Sequence, residues 1–154
     1  MSNYRRSIPI AMGFVVFTGI LLAGVKPSEP PFLPLPLDRA LTLAFKQNRI
    51  VFIDFCTAWC GACKKLDEDT WSDGKVIEQL KKKTIPLKLD ADKEPSIRDK
   101  YKIKSYPTLL FLNPDGSILA RIIGYQIPSQ FIKTLQGVLA LKGMRAGKQK
   151  VFEE

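Results

Sequence analysis

The sequence predicts an α/β domain: a mixed sheet of four to five strands flanked by helices, preceded by one N-terminal transmembrane or signal helix. Three observations carry that expectation. The run Ile50-Val51-Phe52-Ile53-Asp54-Phe55 is nearly continuous in apolar residues, which suits a strand buried on both faces. Segments with apolar residues at helical spacing lie on either side of it. Further on, Thr108 to Leu112 and Ser117 to Ile123 flank the turn Asn113-Pro114-Asp115-Gly116 and read as a hairpin.

Taken in order, the chain opens with Arg5 and Arg6 and then 18 uncharged, mostly apolar residues, Ile8 to Val25. That length is long for a signal-peptide core and just enough to cross a bilayer as a helix. Both a signal-anchor and a cleaved signal peptide remain open. In either case the arginine pair stays on the cytoplasmic side, and the rest of the chain is expected outside it, on the periplasmic side of an inner membrane. Leu22-Ala23-Gly24 resembles the start of a lipoprotein box, but Val25 replaces the cysteine that would carry lipid. Residues 26–36 hold five prolines and form a linker, extended or packed on the domain from Phe32 onward.

The folded domain is expected over 37–142. Leu37, Ala40, Leu41, Ala44 and Phe45 mark one face of a first helix. The strand Ile50–Phe55 follows, then a helix from about Cys60 to Thr70. Ser72 is the expected cap of a second helix through Val76, Ile77 and Leu80. Ile85, Leu87 and Leu89 alternate with Pro86 and Lys88 and give a strand, with Pro86 suggesting an edge. Pro95 opens a short helix to Tyr101. The hairpin comes next, and Pro128 opens a last helix ending near Gly143. A flexible basic tail is expected over 143–154.

The net charge is +9, spread along the chain. It lacks the aromatic-interleaved basic stripe of a nucleic-acid binder, so no nucleic-acid partner is expected. There is no histidine, which removes histidine acid–base catalysis and histidine-ligated zinc or haem. No metal or other cofactor is implied.

Chemistry concentrates in Trp59-Cys60-Gly61-Ala62-Cys63-Lys64, at a strand-to-helix junction. Free N–H groups and the dipole of a helix start stabilise a thiolate, and a thiolate is what attacks a disulfide. A permanent disulfide is the plainer reading, but so short a loop makes a poor staple. Cys56, Cys60 and Cys63 also match the C-x3-C-x2-C spacing of radical SAM cluster sites. The chain is too short for that barrel, and a strand cysteine behaves as a small buried hydrophobe.

Together, Phe52-Ile53-Asp54-Phe55, Trp59-Cys60-Gly61-Ala62-Cys63-Lys64 and Tyr106-Pro107-Thr108 resemble the thioredoxin family, over roughly Leu37 to Leu141. Thr70-Trp71-Ser72-Asp73 and Gly124-Tyr125 make the resemblance strongest to the extracytoplasmic thioredoxin-like domain of bacterial transmembrane thiol:disulfide interchange proteins. Ala62 departs from the proline of cytosolic thioredoxins, and Cys56 from a common aromatic. The family's first strand has no clear counterpart before Leu37.

The resemblance implies a protein thiol–disulfide oxidoreductase, and the reducing direction is favoured. An oxidase, an isomerase or a client-binding module with incidental redox chemistry stay as alternatives. By resemblance Cys60 is an exposed nucleophile, Cys63 the buried resolving thiol, and Asp54 its proton partner. Pro107 is a cis proline facing the pair, leaving backbone groups near it free for an extended substrate. Trp59, Gly61, Ala62, Tyr106 and Thr108 are expected to touch substrate. Trp71, Phe111 and Tyr125 read as core or rim. The implied partners are proteins with disulfides, a membrane or extracytoplasmic redox donor, and the membrane through the N-terminal helix.

Overall fold

A two-residue alternation sorts the first strand onto two faces of a sheet. The structure, a computed structural model, describes residues 30–151. In it β1 (Ile50–Cys56) sends Val51, Ile53 and Phe55 to one side, against α1 (Leu37–Lys46), and Ile50 and Phe52 to the other. That second side packs under a π-helical turn (Leu66–Thr70) that continues α2 (Gly61–Lys65), and under α3 (Gly74–Lys83) and α5 (Pro128–Val151). Phe52, Phe111 and Phe131 are fully buried there, each contributing about 1.5–3 kcal/mol by leaving water. Asp54 shares the face of Phe52 and so lies toward the helices that carry the cysteines.

Among the described residues the sheet has four strands, in the order β2 (Thr84–Asp90), β1, β3 (Thr108–Leu112), β4 (Ile118–Ile123). β1 and β2 are parallel; β1–β3 and β3–β4 are antiparallel. The mixed sheet is therefore as expected, at the lower strand count. β2 is an edge strand, and Pro86 sits where its missing N–H harms no ladder. α4 (Pro95–Lys100) joins β2 to the loop before β3.

Four details correct the sequence reading. The cap of α3 is Asp73, which accepts from the Lys75 and Val76 amides; Ser72 instead donates to the Glu68 carbonyl. Both residues are good caps, and only the path out of the π turn decides between them. Phe45 is 77% exposed, because Leu37, Ala40 and Ala44 already fill the buried stripe of α1. α5 continues to Val151 past Gly143, since helix formers such as Met144, Arg145 and Ala146 follow that glycine. Finally, the end of the Pro-rich stretch packs on the domain: the Leu33 amide donates to the Pro86 carbonyl at 2.8 Å, and the Phe32 ring meets Trp71 at 5.7 Å between centroids. This strap lies against the edge strand β2.

The segment Ile8–Val25 lies outside the described residues. Among those described, no helix is long and apolar enough to cross a membrane.

Candidate functional site

β1 ends in Cys56, and the chain turns through Thr57-Ala58-Trp59 into α2. Cys60 occupies the N-cap of that helix in extended conformation, and its Sγ accepts the Cys63 amide at 3.1 Å. Cys60 and Cys63 form a disulfide across the first turn. The amide bond to sulfur is the kind of contact that favours a thiolate once the pair is reduced. Cys60 is only 6% exposed and Cys63 2%, which corrects the expectation of an exposed Cys60. With its sulfur bonded to Cys63 and turned into the helix start, Cys60 is merely the more accessible of two shielded sulfurs. Gly61 and Ala62, between them, are exposed.

The antiparallel register sets Thr108, first residue of β3, opposite Phe55 near the end of β1. The Tyr106–Pro107 loop therefore reaches the same end of the sheet as the cysteine loop. Rings join the two: Trp59 meets Tyr106 edge-on at 5.8 Å. Trp59 is 70% exposed, and its Nε1 donates to Asp92 Oδ2 at 3.0 Å, so an apolar surface is held out to solvent in a fixed pose. The Tyr106–Pro107 peptide is cis, as expected. The Pro107 carbonyl, however, accepts the Gly124 amide at 2.9 Å and is engaged within the fold. Thr108 is 1% exposed and its hydroxyl donates to the Ser105 carbonyl, so its side chain is closed to a substrate. That too is a correction, and it follows from Thr108 lying inside a central strand.

Asp54 is fully buried. Burial pushes its carboxyl up to about 6, against the pull of the Lys88 ammonium and the Trp71 hydrogen bond. Trp71 Nε1 donates to Oδ2 at 3.0 Å, and Lys88 Nζ lies 3.6 Å from the same oxygen. Oδ1 is buried with no hydrogen-bond partner among the described residues, which leaves one face of the carboxyl open to a proton. Lys88 also pairs with Asp67, from the π-helical turn. Burial alone would lower the Lys88 ammonium, but Asp54 and Asp67 outweigh it and hold the group above its ordinary value. A cleft of about 240 Å³ runs past Cys63, Cys56, Asp67 and Lys88 and opens this side of the pair to solvent.

Sequence reasoning missed Lys88, Asp67 and the Trp71 bond. One signal existed for Lys88: β1 and β2 pair in parallel with Asp54 opposite Lys88, so a charge in each strand at matching register becomes a pair. Cys56 is half-buried, and burial, then the neighbouring Asp54 charge, pushes its thiol up to about 11. Its Sγ donates to the Leu89 carbonyl.

Known proteins carry the same arrangement of chain. The sequence is 32% identical over 117 residues to the thiol:disulfide interchange protein DsbD of Yersinia pestis, covering 72% of this chain and 19% of that protein. It is 32% identical over 100 residues to the chloroplastic thioredoxin Y1 of Arabidopsis thaliana, covering 65% of this chain and 56% of that one. Among solved structures, a thioredoxin from Thermus thermophilus superposes with a TM-score of 0.61 at 25% identity, over 68% of this chain and 84% of the other. The chain thus spans about a fifth of the length of the interchange proteins it matches. The thioredoxin-like domain family itself matches residues 37–139, from the first residue of α1 into α5. A match that takes in every strand of the sheet and the disulfide at its end leaves one reading: this chain belongs to the thioredoxin-like family.

Proposed function

We propose that the protein works outside the cytoplasm as a reductant of protein disulfides, with Cys60 as nucleophile and Cys63 as resolving thiol. The observation that carries this reading is the placement of Cys60: its sulfur caps α2 and accepts the Cys63 amide, on the sheet end where Trp59 and Tyr106 form an exposed aromatic edge.

In the reduced protein the Cys60 thiolate attacks one sulfur of a substrate disulfide. The substrate S–S bond breaks, a mixed disulfide forms, and the departing thiolate takes a proton from water. Cys63 then gives its proton to the Asp54 carboxylate and attacks Cys60 Sγ. The second substrate thiolate leaves, and the pair is oxidised as in the structure. Two electrons have passed to the substrate, and an external dithiol donor must restore them. Trp59, Tyr106 and the exposed Gly61-Ala62 peptide form the face that meets the client.

Local charge is balanced around the pair: Asp67 and Asp69 behind it are matched by Lys88 and Lys65, and Lys64 follows Cys63 directly. The reducing direction therefore rests on resemblance. Similarity to the interchange proteins supports the same direction, an extracytoplasmic setting and a membrane-bound electron donor, with residues 8–25 as anchor.

Equilibration with glutathione buffers tests it. A potential more negative than about −220 mV agrees with a reductant, and one near −120 mV overturns that direction in favour of an oxidase. Cys63→Ala should accumulate mixed disulfides with clients through Cys60; a chain that traps none is a binding module instead.

A further inference from the structure

The end of the sheet opposite the disulfide carries a second surface. β1 and β2 both start there, with Ile50 opposite Thr84. The residues leading into them are basic: Lys46 and Arg49 before β1, and Lys81, Lys82 and Lys83 closing α3 before β2. These clusters touch. Arg49 Nη1 donates to the Lys81 carbonyl at 2.9 Å. α5 brings a sixth cation to the same place, since Lys142 Nζ donates to the Asn48 carbonyl at 2.5 Å and to Asn48 Oδ1 at 2.9 Å.

Among the described residues, opposing charge is sparse at that end. Glu78 lies one turn earlier on α3, and Asp115 sits in the β3–β4 turn. Two large apolar side chains stand out among these cations. Phe45, beside Lys46, is 77% exposed, and Leu141, beside Lys142, is 42% exposed. The Asn48 amide donates to the Phe45 carbonyl, so Phe45 and the Lys142 contact share one corner of the molecule.

Exposed apolar groups ringed by lysines match one kind of partner: the surface of a bilayer with anionic headgroups. A nucleic acid would neutralise the cations but would give Leu141 no apolar phase to enter, which a bilayer supplies together with the negative charge. We infer that the Phe45–Lys83–Lys142 end of the domain docks on an anionic phospholipid surface, with Phe45 and Leu141 in the interface and the lysines on the headgroups.

Docking in this pose points the Cys60–Cys63 pair away from the bilayer. β1 has seven residues, about 20 Å of strand, between the two ends. Asp90, Asp92 and Glu94 lie at or beyond the far end of β2, at the disulfide end; with Lys93, which pairs with Asp90, the run is still net acidic and an anionic surface repels it. The inference concerns a surface remote from the redox chemistry and does not rest on the direction of electron flow.

The test is depth quenching in the full chain with a Phe45→Trp reporter. The signal of the parent protein, from Trp59 and Trp71, is subtracted. The protein is added to vesicles of brominated phosphatidylcholine, with or without about one third phosphatidylglycerol. The reporter should be quenched in the anionic vesicles, released by about 0.5 M salt, and left unquenched in the zwitterionic ones. Lys81→Glu/Lys82→Glu/Lys83→Glu should abolish the effect. Each lysine near such a surface is worth about fivefold, so this reversal weakens docking by at least two orders of magnitude. The matching triple Gln variant should weaken it less, and both should keep the parent's circular dichroism and melting temperature, showing intact folding. No quenching in anionic vesicles, quenching equal in both lipids, or quenching indifferent to salt and to the lysine variants overturns the inference. So does a reporter buried instead in a dimer, seen by sedimentation without lipid.

Discussion

Asp54 and Lys88 face each other across neighbouring parallel strands, and the Lys88 ammonium lies 3.6 Å from Asp54 Oδ2 while also bound to Asp67. One cation thus serves two carboxylates, one buried and one exposed. In the proposed mechanism the buried one takes the proton of the resolving thiol, and its charge is set by how firmly Lys88 is held.

Lys88→Gln removes the ammonium that opposes burial at Asp54. The Asp54 carboxyl should then rise further above 6, and the proton-accepting carboxylate should form only at higher pH. Turnover at pH 7 should fall roughly threefold and recover toward pH 8.5, an alkaline displacement of the pH–rate profile. A profile that keeps its position would show that Lys88 does not govern Asp54.

Asp54→Asn should stabilise the protein while slowing it. The folded-state value of about 6 lies above the ordinary 3.8. Below pH 4 the carboxyl is protonated in both folded and unfolded chains and costs nothing. Between pH 4 and 6 the unfolded chain ionises first, and stability is lost as pH rises. Above 6 the full cost, on the order of 3 kcal/mol, is present. Thermal melts should therefore show the Asn variant several degrees more stable at pH 8 and level with the parent near pH 4. Turnover should drop by about two orders of magnitude.

Cys56 should be chemically quiet. With its thiol pushed up to about 11, only about one part in ten thousand is thiolate at pH 7. Brief iodoacetamide treatment of the reduced protein, read by mass spectrometry, should modify Cys60 and spare Cys56. Cys56→Ala should retain turnover within about twofold.

The strap before α1 should contribute measurably to stability. Phe32 stacks on Phe52 at 6.5 Å and meets Trp71 edge-on, while Lys88 Nζ lies 5.7 Å over its ring. Phe32→Ala should cost about 2 kcal/mol, less than for a wholly buried ring. A chain starting at Leu37 should lose at least as much. Denaturant unfolding of the three proteins would settle the point.

Much of this architecture could be read from residue patterns, for definite reasons. A strand that is apolar on both faces, a proline in an alternating strand and a Pro-Asp-Gly turn each leave a local mark. Asp54 stood out because a charge inside Ile50–Phe55 has no solvent face to occupy. Lys88 left no such mark: a lysine in an alternating strand looks like an ordinary solvated residue, and only the pairing of β2 with β1 turns it inward. Trp71 read as core, which it is, but its ring nitrogen finds Asp54 only because the π-helical turn shifts the chain by one residue before it; the Trp71 amide donates to the Leu66 carbonyl five residues back. Helical periodicity nominated Phe45 for the core, yet periodicity states a direction and not how far the neighbouring layer extends.

The strap has a meaning beyond its own contacts. A sheet margin with unpaired main-chain groups is a template on which another molecule's strand can grow, the first step toward fibrils. β2 offers such a margin. Pro86 presents no donor there, and Leu33 already occupies its acceptor. The protection against self-association therefore resides partly in residues that precede the conserved-fold region at 37, in a stretch whose prolines look at first like mere spacing.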